Sequence, residues 1–136
     1  MSINYKHINT LTKIAESNDG MRAKLAAAVV RGNYIISIGM NSMKTHPFQA
    51  KYGINSECIY MHAELAAIKN ALREIDVTDF RYHNMYIVRV KRPFPNSNSF
   101  IYGLAKPCIG CMRAITEFGL NKIVFTTNLQ GKINVI

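Results

Sequence analysis

Two short motifs constrain this chain more than anything else in it, His62-Ala63-Glu64 and Pro107-Cys108-Ile109-Gly110-Cys111. One histidine and two cysteines offer zinc three ligands of the kinds it prefers. They leave a fourth tetrahedral position for water, the pattern of a catalytic rather than a structural site. For these residues to meet, two distant segments must end at one point. Each motif is followed by apolar residues at helical spacing, Leu65, Ile68, Ala71 and Leu72 after the first and Met112, Ile115 and Phe118 after the second. Both motifs are therefore predicted to open helices, whose positive N-termini favour thiolates. Cys108 and Cys111, three apart, share a helix face, whereas His62 and Glu64, two apart, would diverge within a helix. His62 is accordingly expected at or just before the first turn. A C-x-x-C alone reads equally as a redox pair or half of a zinc knuckle. The two motifs together, in this order and each before a helix, select the catalytic reading.

The combination resembles the zinc-dependent cytidine deaminase superfamily, whose signature of H-x-E followed by P-C-x-x-C stands here as HAE and PCIGC. The resemblance implies a three-layer α/β/α cytidine deaminase-like domain over residues 1–136, with a mixed five-stranded sheet. It implies that His62, Cys108 and Cys111 hold Zn2+. It makes Glu64 the catalytic residue, taking a proton from water and passing protons to the ring nitrogen and the departing amine. It also places Asn41 and Ala63 against the substrate, although Asn41 equally fits a turn-forming asparagine.

Length and composition agree with one domain. The chain has 136 residues, enough to bury a core without covalent staples. Three cysteines, two of them in the motif, imply no disulfide framework and a reducing compartment. No apolar run approaches the ~20 residues of a membrane span, and the N-terminus lacks a signal-peptide pattern. The expectation is a cytoplasmic protein with no membrane partner. Net charge is +9, spread along the chain; this suits nucleic acid, the phosphates of a nucleotide, or simple solubility.

In chain order, Ile8, Leu11, Ile14 and Ala15 predict an amphipathic helix over about 5–17. Leu25 to Val30 and Tyr34 to Gly39, separated by Gly32-Asn33, predict a β-hairpin. Residues 41–61 show no sustained period and are read as a functional loop, including the turn signal Gly53-Ile54-Asn55-Ser56. Lys44, His46 and Lys51 are candidates there for phosphate contacts. His46 with Cys58 is an incomplete second zinc set, and Cys58 reads better as a buried thiol.

Met85 to Val90 predicts a central strand, its apolar continuity implying burial on both faces. Familiar members of the resembled family run from this strand almost directly into the cysteine motif. Here KRPFPNSNSFIYGLAK intervenes, carrying Lys91, Arg92 and Lys106 with Phe94, Phe100 and Tyr102. That basic and aromatic mixture suits a single-stranded nucleic acid, or the aromatics pack onto the domain and the charges are solvated. Lys122 to Thr126 and Ile133 to Ile136 are predicted as strands four and five. The connection is too short for a parallel crossover, so they are expected to be antiparallel.

The function expected from the resemblance is zinc-dependent hydrolysis of a nucleobase amine. Cytosine to uracil is preferred because the resembled family uses it so widely. The substrate is a cytidine-type nucleotide or single-stranded DNA or RNA, with Lys44, His46, Arg92 and Lys106 as candidate contacts. The alternatives are an adenosine-to-inosine deaminase acting on tRNA and a non-catalytic zinc-containing nucleic-acid-binding module. Homo-oligomeric assembly is expected by resemblance only.

Overall fold

A computed structural model of the chain describes residues 2–53 and 60–136. Helix α1 (Tyr5–Glu16) forms where Ile8, Leu11 and Ala15 recur on one face, and all three are buried. Asn4 caps it by accepting from the Lys6 N–H. Strands β1 (Lys24–Arg31) and β2 (Tyr34–Met40) make the expected hairpin, turning where Gly32 adopts a positive φ of 59°.

Strand β3 (Asn84–Lys91) lies at the centre of the sheet and pairs antiparallel with β1. Strand β5 (Ile123–Thr126) pairs parallel with β3, and β6 (Ile133–Val135) antiparallel with β5, which completes the order β2-β1-β3-β5-β6. All five expected strands are thus present, and the last two are antiparallel as their short connection requires.

Two segments differ from the reading of the sequence. The stretch taken as loop over residues 41–61 contains helix α2 (Pro47–Tyr52). His46 caps it, its Nδ1 accepting from the Phe48 N–H, and Pro47 occupies the first turn, where its missing N–H costs nothing. The insertion after β3 contains a sixth strand, β4 (Ile101–Gly103), antiparallel to residues 89–91 of β3. Three residues are too few to show an alternation. The strand exists because β3 runs on past the end of β5 and leaves an edge to be paired. Thr126 stitches the junction: its hydroxyl accepts from Arg89 N and donates to the Gly103 carbonyl. Ile54 to Cys58, including the second-zinc and buried-thiol readings of Cys58, lie outside the described residues.

Strand alternation sorts the core into two layers. Ala26, Ala28, Val30, Tyr86, Val88 and Val90 face α1. Ala27, Val29, Met85 and Ile87 face the opposite layer, formed by α2 with α3 (Ala63–Ala71) and α4 (Ile109–Phe118). At Gly39 of β2 an added Cβ would lie 2.3 Å from the Ala67 nitrogen, so α3 sits directly on the strand backbone. Among the described residues, no helix is long and apolar enough to cross a membrane.

Candidate metal centre

Both motifs stand where helices begin. His62 is the residue before α3, in extended conformation, and Cys108 holds the same position before α4. Cys108 Sγ accepts from the Cys111 N–H at 3.5 Å, so the thiol acts as the helix cap. His62 makes no side-chain cap bond, which leaves its ring free to turn towards the cysteines. Its backbone N–H, unpaired at a helix start, donates to the Gln49 Oε1 at 2.9 Å. Gln49 belongs to α2 and is 1 % exposed, so α2 fixes the histidine in place. Gly110, between the cysteines, packs against the last turn of α2: a Cβ there would lie 2.3 Å from the Tyr52 carbonyl oxygen.

His62 Nδ1 lies 3.3 Å from Cys111 Sγ and 3.6 Å from Cys108 Sγ, and all three ligand atoms fall within 4.8 Å of one another. Bonds of ~2.0–2.3 Å in a tetrahedral array put ligand atoms ~3.5–3.8 Å apart. The donor set and its spacing therefore fit zinc. Cys111 is buried and Cys108 exposed, so the site opens on the Cys108 side.

Glu64, on the first turn of α3, is 4 % exposed. Burial pushes its carboxyl pKa up, against the hydrogen bonds it accepts from its own backbone N–H and from Cys111. Hydrogen bonds from Cys111 and His62 hold the Cys108 thiol down at about 3. The bond to Cys108 pushes the Cys111 thiol up, as does burial, and the same sulfur raises the His62 imidazole. Cys108 is thus the member of the cysteine pair held as thiolate, steadied by its bonds with Cys111 and the histidine.

The remaining predicted site residues do not gather around this cluster as one set. Ala63 is buried as the first residue of α3. The Asn41 side chain is engaged locally, accepting from Asn18 and from the Leu25 N–H and donating to the Ala23 carbonyl. Lys44 and His46 line a groove between β2 and α3. Arg92 lies in a different groove, stacked over Phe100 at 5.2 Å. Lys106 borders a third, along α4 with Ile109 and Met112. The reading of the sequence missed Gln49, for which the His46-Pro47 helix start was the available signal. It also missed the two contact glycines, for which one sequence carries no signal.

Residues 1–127 match the family model of the cytidine and deoxycytidylate deaminase zinc-binding region. A comparison with curated protein sequences found no significant match. Among solved structures, the apo dCMP deaminase from the cyanophage S-TIM5 superposes with a TM-score of 0.61 at 18% identity, over 93% of this chain and 86% of that one. The same enzyme in complex with dCMP and dUMP gives 0.60 at 16% identity, over 92% and 82%. These likenesses confirm the cytidine deaminase-like fold. With the family's zinc-binding region matched over nearly the whole chain and a His-Cys-Cys cluster at the starts of two helices, this protein belongs to the cytidine and deoxycytidylate deaminase family.

Proposed function

We propose that the chain hydrolyses the exocyclic amine of unpaired cytosine carried on a deoxycytidine-type nucleotide, producing the uracil compound and ammonia. The observation that carries this reading is a buried carboxyl, Glu64, held beside the His62, Cys108 and Cys111 cluster. A structural zinc site has no use for such a group, whereas a hydrolytic one does. The fold shared with a dCMP deaminase supports cytosine over adenine.

His62, Cys108 and Cys111 would hold the zinc, which would supply Lewis acidity enough to bring the pKa of a water towards ~7. Glu64 would accept a proton from the attacking water as the new C–O bond forms at C4. It delivers the proton to the ring nitrogen N3, which offsets the charge gathering on the ring. It then takes the proton of the hydroxyl newly attached at C4 and relays it to the amine, so that this hydroxyl becomes the C4 carbonyl as the C–N bond breaks and ammonia departs. Burial raises the pKa of this carboxyl above the ordinary carboxylate range, the direction that a group losing and regaining a proton needs. Burial on the first turn of α3 keeps the carboxyl from being levelled by bulk water.

The test is turnover by purified, zinc-replete protein on dCMP, CMP, dCTP and AMP, read as ammonia release and base conversion. Conversion of the cytosine compounds is expected. Conversion of AMP alone would overturn the choice of base. Silence on all four with conversion of a cytosine-containing single-stranded oligonucleotide would move the substrate from free nucleotide to strand. Silence on these and on the oligonucleotide, with zinc bound, would overturn the enzymatic reading.

A further inference from the structure

Arg89, near the end of β3, has its Nε buried without a hydrogen-bond partner, the one such side-chain atom among the described residues. A buried donor left unpaired is costly, and native proteins seldom keep one without a use. The stem of Arg89 rests on β4. Its register partner Gly103 has no side chain, and a Cβ there would meet Arg89 Cδ at 3.0 Å. Alternation puts Arg89 on the face of Met85 and Ile87, which is the face covered by α3 and α4.

Around Arg89 runs a groove of about 710 Å3 between residues 21–24 and the insertion. Arg22, Lys24, Arg89, Lys91 and Arg92 line it, and no acidic residue does. The partners these cations do have are neutral: Lys24 Nζ donates to the Asn18 carbonyl, Lys91 Nζ to Asn128 Oδ1 and Arg92 to the Ser97 carbonyl. Five like charges in one groove repel one another until an anion enters. The groove also offers aromatic surface. Phe94 is 62% exposed, and its neighbours Pro93 and Pro95 hold their own backbone angles fixed. Its volume lies in the range of ~300–1,000 Å3 usual for ligand sites, far more than one phosphate occupies.

The groove and the metal cluster share one end of the sheet. Five residues lead from Gly103, beneath Arg89, to Cys108. Asn41, at the end of β2, is bonded to the groove wall at Ala23. We propose that this groove holds the nucleotides flanking the target base in a single-stranded nucleic acid, their phosphates on the five cations and a base stacked on Phe94. A lone nucleotide has its base in the zinc centre and would leave Phe94 without a partner. A strand uses both the basic wall and the aromatic ring, the usual pairing in sites that hold single strands without sequence preference. The proposal rests on the deaminase reading for what happens at the zinc centre, but not for binding.

The test uses the full zinc-replete chain and fluorescently labelled dT8, which has no cytosine, followed by anisotropy. Binding is expected, with log affinity falling against log salt at a slope of roughly −3, as for four or five phosphates of a single strand. Phe94→Ala should weaken it about tenfold through lost stacking. Arg92→Gln should flatten the slope by about 0.7. Both side chains are exposed, so neither change threatens the fold. Absence of binding, binding indifferent to salt, or binding unchanged in both variants would overturn the proposal, as would displacement by dTTP as effective as by unlabelled dT8. Because dT8 has nothing to deaminate, these outcomes are independent of turnover on dCMP, and either reading can fail alone.

Discussion

Glu64, on the first turn of α3, and Gln49, on α2, stand on either side of His62. Glu64 contributes little to the cluster's geometry, being a neighbour of the ligands rather than one of them. On the proposed mechanism Glu64→Gln keeps the shape and removes the proton carrier, so turnover should fall by ~10²–10⁴ while metal analysis still finds one zinc per chain. Turnover persisting at the original rate would show that another group carries the protons. Gln49 works from the opposite side, through the backbone. Gln49→Leu strips the acceptor from the half-buried His62 N–H and should cost about 1–2 kcal/mol of stability in urea titrations. Zinc should also exchange faster in that variant, because the histidine loses its anchor; an unchanged exchange rate would mean that α2 does not hold the ring in place.

At the level of elements, the metal site is the meeting of three helix ends, and the sheet only spaces them. Helix α2 is the clamp. Its last turn touches α4 at Gly110, and Tyr52 donates to the Glu117 carboxylate at 2.7 Å. Burial, then the bond to Glu117, raises the Tyr52 hydroxyl pKa to about 12. The sign follows directly: between its ordinary value near 10 and 12, the folded chain keeps a proton that the unfolded chain has released. This contribution is whole below pH 10 and is lost as pH rises through 12. Wild type should therefore lose stability more steeply from pH 10 to 12 than Tyr52→Phe does, and parallel unfolding curves would refute the coupling. Gly110→Ala drives a methyl into the Tyr52 carbonyl and should cost ~1–3 kcal/mol. Helices α1, α3 and α4 and strands β1, β2, β3 and β5 were legible because burial imprints a period or an apolar run on sequence, and the short β6 because a turn signal at 128–131 precedes it. Helix α2 and β4 were not. Six residues at one end and three at the other are too short to carry a period, and contacts with α4 and with the exposed edge of β3 hold them in place.

Across the whole molecule, the pair of motifs announced the cluster because its chemistry depends on rare residue types at tight spacing. The basic surface stayed undivided in the sequence. Seventeen lysines and arginines against eight acids say that anions are welcome without saying where. Only the fold separates Lys44 and His46, on the β2 and α3 side, from Arg22, Lys24 and Arg92 beyond the end of β3. That separation follows from strand register, which composition does not record.

The same architecture determines what removing the metal should do. His62 reaches the cluster from the side of the molecule built on β1 and β2, and the cysteines from the side built on β3 and β5. Zinc therefore ties elements that are far apart in the chain, and its binding free energy adds to the stability of the fold. At free zinc a hundred times its dissociation constant the gain is ~2.7 kcal/mol. In a chain of this size that corresponds to about 5–10 °C in melting temperature. Chelation should lower the melting temperature by this amount and re-addition of zinc should restore it. Cys108→Ser should melt near the chelated wild type, with or without zinc, because an exposed sulfur exchanged for oxygen disturbs little else. If chelation left the wild-type melting temperature unchanged while removing the metal, the two halves of the sheet would be shown to hold together unaided. The tie would then serve only the chemistry at Glu64.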